Sequence, residues 1–367
     1  MNKKMCRLIL LVVLCSFCFA VFAACDSLNL PRLPGVTSAD DTGSQTDRQG
    51  SDGGGSGSSG SGTAQQGSGS GGNQQQGQAV QTDTGERRTP RTPGSVLVPA
   101  TGNDFIERGG ATLDFSNANR GYIMVNYTGN SERVRVHVTQ PNAPQEYRYD
   151  IWPSAGWQVI PLSRGNGSYQ ISVLRHVTGS AFENLISHTL EVSLVDQFLP
   201  FLYPNQHVNF NSRTQAVILA AEVVADARND LHAVELIYKF VINALEYDHD
   251  FADSIIAGDV RFYVPNLDEV LRRGRGVCFD YASLMVAMLR AQRIPTRLIS
   301  GFIPSGEMHA WVMIFTEETG WVGVAEFAGR QWTLMDPTFS AAASAGTQDQ
   351  LAAIIGDGKN YQEVFVR

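Results

Sequence analysis

Cysteine is nearly missing from the body of this 367-residue chain: of five, Cys6, Cys15, Cys18 and Cys25 crowd the N terminus, which leaves Cys278 as the one thiol of the rest. A single thiol excludes an internal disulfide framework and a dithiol oxidoreductase, and no Cys/His cluster has the spacing of a zinc site. Positive charge is also short. There are 28 Lys and Arg against 36 Asp and Glu, a formal charge of −8. That balance argues against nucleic acid as a partner, because phosphates need a basic surface. The apolar run from Leu8 to Ala24 falls just short of the roughly 18 residues of a spanning helix. The glycine-rich repeats between Ser51 and Gly77 follow no strand and open no helix, so they are not phosphate loops.

What stands at the N terminus reads as an export signal. Met1 to Arg7 is basic, Leu8 to Ala24 is apolar apart from Ser16, and Phe22-Ala23-Ala24-Cys25 resembles a bacterial lipoprotein cleavage box. Residues 1–24 are therefore expected to be removed as a signal peptide. Cys25 would carry a lipid that holds the protein to the outer side of a bacterial membrane, with plain secretion as the alternative. Cleavage takes away Lys3, Lys4 and Arg7 and no acid, so the mature chain is more acidic still. Residues 25–94 are dominated by Gly, Ser, Gln, Thr and Asp. Such a segment cannot bury enough apolar surface to offset the entropy of ordering it, and it is expected to be a disordered tether. About 70 residues of such coil span on the order of 45 Å.

With 43% hydrophobic residues, the remainder can build real cores. Across 95–204 the pattern is short alternating runs: Ala111 to Phe115, Tyr122 to Tyr127, Arg133 to Thr139, Trp157 to Leu162, Tyr169 to Leu174 and Thr189 to Val195. Val134, Val136 and Val138 fall on one face, Arg133, Arg135 and His137 on the other. Turn signals separate the runs, which predicts an antiparallel β-sandwich. His137, His176 and His188 are expected as solvent-facing strand residues, and the sandwich as a support or target-binding part without catalytic groups. Phe198 to Pro204 is too apolar for a free linker and is expected to wedge between two domains.

Residues 205–367 read as α+β. Ser212-Arg213-Thr214-Gln215 fits a capping box for a helix over Ala216 to Arg228, and a second helix follows from Asp230 with Leu231, Val234, Ile237, Tyr238, Val241 and Leu245 as its core stripe. Tyr247 to Val264 is a mixed connection. Its Asp248, Asp250 and Asp253 lack the glycine and terminal glutamate of a calcium loop, so no metal and no cofactor are expected. Asn266 and Glu269 cap a short helix that ends near Gly274.

Next comes Gly274-Arg275-Gly276-Val277-Cys278-Phe279-Asp280-Tyr281-Ala282, in which Gly276 supplies flexibility. Tyr281, Leu284, Met285, Met288 and Leu289 recur at helical spacing, which puts Cys278 in the first turn. Helix N-termini favour a thiolate over the free thiol's pKa of about 8.5, and Arg272, Arg273 and Arg275 add positive charge upstream. His309, the last histidine, opens the strand-like run Met308 to Phe315, and Asp336 precedes Pro337 at a strand end. A cysteine, a histidine and an aspartate so placed make a nucleophile, a base and an orienter.

These residues also resemble a known family. G-V-C-F-D-Y-A around Cys278, H-A-W-V around His309 and D-P-T-F around Asp336 are similar to the transglutaminase-like superfamily, of papain-like fold, over roughly Val208 to Arg367. The resemblance implies Cys278 as nucleophile, His309 as general base and acid, and Asp336 as the residue that holds the imidazole. It also implies a cysteine peptidase or acyltransferase acting on protein or peptide amides. A catalytically silent scaffold is the alternative. The second oxyanion donor is expected from an upstream side chain, Tyr247 or Tyr263, and Trp311 is a candidate lining of the acyl slot. Asp280 and Tyr281 match the motif and are expected to be structural.

Overall fold

A computed structural model describes residues 96–367, apart from 142, 144, 261, 304–305, 307, 318, 323, 327–331, 335 and 343–360. The expected signal peptide, Cys25 and the expected tether lie outside the described residues. Among the described residues no helix is long and apolar enough to cross a membrane.

The first eight strands form two antiparallel sheets. One is ordered β1-β2-β3-β6, from Phe105–Arg108, Ala111–Asp114, Tyr122–Tyr127 and Gln158–Pro161. The other is β5-β4-β7-β8, from Tyr147–Ile151, Val134–Thr139, Gly167–Thr178 and Ala181–Val192. Alternation explains the shared core: Val134, Val136 and Val138 point inward to meet Leu113, Val125, Ile160 and Ile171. The outer face is less wet than its residue types suggest. Arg135 is buried, with Nε 3.0 Å from Asp150 and its guanidinium over the Phe182 ring. His188 stacks on Phe115, and His137 meets Glu146.

The second half is built around one helix. Helix α1 spans Gln215–Val223, α2 Asp230–Ala244, α3 His249–Ile256, α4 Leu267–Arg273, α5 Cys278–Ala291 and α6 Pro337–Ala342. A four-stranded antiparallel sheet runs β13-β12-β11-β16, from Gly320–Val322, Met308–Thr316, Thr296–Phe302 and Gln362–Val366. Two short pairs complete it: β9 (Glu246–Tyr247) with β10 (Arg275–Gly276), and β14 (Val324–Glu326) with β15 (Trp332–Leu334). Every residue of α5 from Asp280 to Ala291 is buried, beneath α1, α2, α4, α6, β11 and β12. The sequence predicts a stripe; the helix is enclosed on all sides. Each fully buried Leu, Met or Val there contributes about 1.5–3 kcal/mol.

Two local expectations are corrected. Helix α1 ends at Val223, five residues short of Arg228, and Thr214 is its N-cap without a side-chain cap bond. The Gln215 N–H donates instead to Asp268 of α4, a tertiary partner. The stretch after Tyr247 contains α3, whose N-cap Asp248 accepts the Phe251 N–H at 3.2 Å.

Phe198 to Pro204 joins the halves through aromatic contacts. Tyr203 packs on Tyr122 with centroids 4.7 Å apart, and Phe201 meets Trp321 edge-on at 5.2 Å. Pro200 approaches Gly121 so closely that a Cβ there would lie 2.3 Å from its Cγ, which with φ +86° requires glycine. Arg290 closes the seam. Its guanidinium is 1% exposed and donates to the carbonyls of Tyr203, Thr296 and Arg367.

Candidate active site

The thiol is set by how the chain enters α5. Segment Glu246–Tyr247 pairs in parallel with Arg275–Gly276, and the Asp248 N–H donates to the Gly276 carbonyl at 3.0 Å. This strap fixes the backbone just before the helix. Val277 is the N-cap in extended conformation, and Cys278 is the first helical residue, half-buried. Its position at the positive end of the helix dipole favours the thiolate. Valine has no acceptor to cap the helix, so Asp280 does the work from inside it by accepting the Val277 N–H at 2.8 Å.

The upstream arginines are less available to the thiol than their spacing suggests. Arg272 is bonded to Glu269, Arg273 lies over the Phe251 ring, and Arg275 faces Asp248 at 3.4 Å and Asp250 at 3.9 Å. Their charge is largely spent on neighbouring carboxylates. Of the three aspartates weighed as metal ligands, Asp248 caps α3 and faces Arg275, and Asp250 faces the same arginine.

His309 is the second residue of β12, a strand that packs on α5. Its Nε2 is 2.7 Å from Asp336 Oδ2, and both side chains are closed to solvent. The other oxygen of Asp336 accepts the Thr338 N–H at 3.2 Å, so backbone and imidazole together stop the carboxylate from turning. A carboxylate can only accept here, which assigns the proton to Nε2 and makes the buried Nδ1 the basic nitrogen of the neutral ring. Helix α6 begins directly after Asp336 and packs on α5. Strand β12, which carries His309, and helix α6, which follows Asp336, thus both pack on the helix that Cys278 opens.

The other predicted contacts fare differently. Tyr247 is half-buried on the strap beside Gly276, its ring edge-on to His249 at 5.0 Å. Tyr263 is corrected: its hydroxyl donates to Asp280 Oδ1, so its one proton is committed there and does not face an oxyanion. Trp311 is corrected too. It is 3% exposed in a small core with Ile299, Ile303 and Tyr361, which leaves no ring face for a substrate.

Asp280 is the residue that sequence reasoning undervalued. It is wholly buried, and burial pushes its carboxyl up to about 6 despite hydrogen bonds from Tyr263 and Val277 that favour the charge. Its position three residues after the N-cap is that of a capping-box acid, a signal hidden by valine at the cap. Gly276 is corrected as well. A Cβ there would lie 2.6 Å from Asp280 Cβ, so the glycine serves close approach rather than flexibility.

Residues 218–325 match the transglutaminase-like superfamily. This part of the chain is a transglutaminase-like domain. The transglutaminase-like match takes in Cys278 and His309 and stops before Asp336, whose place rests on its bond to the imidazole. An uncharacterized protein of Mycobacterium leprae is 28% identical over 141 residues, 35% of this chain and 46% of that one. Another, from Mycobacterium bovis, is 30% identical over 111 residues, 27% and 31% of the two chains. The chain thus spans less than half the length of these curated relatives. Among solved structures, a Cytophaga hutchinsonii protein covers 67% of this chain and 83% of its own at 14% identity and TM-score 0.31. Red sea bream transglutaminase covers 63% and 48% at 12% identity and TM-score 0.24. At such scores neither bears on the activity.

Proposed function

We propose that this chain is a cysteine-dependent amide hydrolase or acyl transferase acting on protein or peptide substrates. His309 Nδ1 takes the proton of the Cys278 thiol as Sγ attacks the amide carbon. The tetrahedral adduct collapses, the amine leaves with the proton returned from the imidazolium, and a thioester remains on Cys278. Water, or a second amine, then attacks the thioester, with His309 again taking the proton. Asp336 keeps the ring oriented and stabilises the imidazolium. The backbone N–H of Cys278 at the helix start is the oxyanion donor assigned here, worth about 2.7–4 kcal/mol. Tyr247 is the remaining side-chain candidate for a second donor. Hydrolysis is the preferred outcome, since no acceptor-amine site can be named.

One observation carries the reading: a buried imidazole held at 2.7 Å by an immobilised carboxylate, on a strand packed against the helix that starts with Cys278. A structural histidine does not need a fixed tautomer with its basic nitrogen turned away from the acid. The test is incubation of the protein with casein and a fluorescent primary amine. Casein fragments or amine-labelled casein are expected, and both should vanish in Cys278→Ala. No turnover, together with a thiol inert to iodoacetamide, would overturn the reading.

The same proposal puts the enzyme outside a bacterial membrane, held by a lipid on Cys25 through a tether over 25–94. Labelled palmitate should enter the wild type and not Cys25→Ser; equal labelling would refute the anchor.

A further inference from the structure

We propose that Asp280 and Tyr263 form a clamp that positions the start of α5, so that Asp280 must be ionised for the Cys278 thiol to react at full rate. The inference rests on Cys278 being the nucleophile and assigns to Asp280 a positioning role outside the Cys278, His309 and Asp336 set.

The geometry is closed on both sides of the thiol. Asp280 Oδ2 accepts the Val277 N–H at 2.8 Å, and the N–H of Asp280 donates to the Val277 carbonyl at 2.8 Å. Cys278 lies inside this reciprocal loop. Oδ1 takes the hydroxyl of Tyr263, a residue from the segment between α3 and α4. Tyr263 is itself wedged, edge-on to Phe251 at 4.8 Å, and Arg273 lies over that same Phe251 ring. Gly276 presses the incoming backbone onto the Asp280 side chain. One wholly buried carboxylate thus joins the nucleophile's helix to a neighbouring loop.

The clamp is strongest with two charged acceptors. A carboxylate accepts from Val277 and Tyr263 at once, whereas protonation turns one oxygen into a donor, so the Tyr263 bond must reverse and both lose their charge assistance. The tyrosine cannot adapt by ionising, because burial and the neighbouring Asp280 raise its own pKa. The charges facing Asp280 are mixed: Arg273 favours its ionised form and Asp248 opposes it, while Arg275 offsets Asp248. Tyr281 on α5 also senses the carboxylate, with its hydroxyl bonded to the Leu245 carbonyl. Burial dominates and brings the carboxyl to about 6.

The experiment follows iodoacetamide labelling of Cys278 in the full chain from pH 5 to 9, read by mass spectrometry on the tryptic peptide Gly276–Arg290. The wild-type rate should show a step of about tenfold near pH 6, the size expected when a charge-assisted hydrogen bond is lost. Asp280→Asn, which keeps the shape but offers one acceptor, should lack the step and label about tenfold more slowly at pH 8. Tyr263→Phe should move the step to higher pH, because the missing hydrogen bond had favoured the charged form. Should Asp280→Asn fail to fold, Tyr263→Phe, which removes one oxygen, carries the test. A fast, His309-dependent thiol with the same profile in all three proteins overturns the clamp alone. A thiol slow at every pH and indifferent to His309→Ala overturns the clamp together with the enzyme reading.

Discussion

The sheet-built half and the helix-centred half of this molecule handle charge in opposite ways. In the sheets, ionic groups, most of them partly exposed, meet partners of opposite sign. Glu146 lies 3.2 Å from His137 and 2.8 Å from Arg148, which hold its carboxyl down at about 2, and Arg175 pairs with Glu183. Two buried charges on α5 itself are instead met by hydroxyl and main-chain groups. Asp280 is held by a hydroxyl and a backbone N–H and is pushed up to about 6. Arg290 donates to carbonyls, and burial brings it down to about 9. Burying charge without neutralising it is costly, so a fold that does so near a helix start is spending stability on position. The groove among Asn130, Arg133, Arg175 and Glu183 on the sheets contains none of Cys278, His309 and Asp336.

The largest test of this contrast is catalytic. Asp336→Asn keeps the size of the side chain but its amide can favour the wrong imidazole tautomer, so casein turnover should fall by about 10³. Glu146→Gln in the sheets should leave turnover within about twofold, because such partly exposed pairs are worth little. Equal losses in the two would erase the distinction.

Next in size is Arg290→Met, which strands the carbonyls of Tyr203, Thr296 and Arg367. A loss of about 3 kcal/mol is expected from urea midpoints. A stabilised variant would show that the buried guanidinium is dispensable to the seam.

Acidity sharpens the comparison further. The folded pKa of Asp280 lies near 6, above the ordinary 3.8, so the fold holds a proton that the unfolded chain has lost. Its contribution therefore declines as pH rises from about 4 to 6, to a cost of about 3 kcal/mol at neutrality. Glu146, depressed to about 2, acts in the reverse sense: its stabilisation is present above about 4.5 and lost as pH falls toward 2. Denaturation curves of Asp280→Asn should lack the wild type's decline between pH 4 and 6. The smallest effect is Arg175→Ala, an exposed pair whose removal should leave the urea midpoint unchanged within error.

Much of the local structure around the candidate site could be read before the fold was known, because each residue carried a local signal. Cys278 preceded a helical repeat, His309 opened a β-rich run, and Asn266 and Gly274 framed α4 as cap and left-handed stop. What escaped depended on partners distant in sequence. Nothing local announces that Asp268 completes the start of α1, or that α5 is covered on every side. Helix α3 was too short for its period to stand out from its acidic neighbours. Strand β5 is a different case: Tyr147, Tyr149 and Ile151 alternate plainly and are all buried, so that signal was present. Asp280 had the right spacing for a cap, but its burial, which gives it consequence, is tertiary.

The most direct test of the account is the apparent pKa of the Cys278 thiol, obtained from peptide-resolved alkylation across pH in the wild type and in His309→Ala. The account predicts a wild-type value well below the free thiol's roughly 8.5, moving back toward it when the imidazole is removed. A value at or above about 8.5 in both proteins would contradict it.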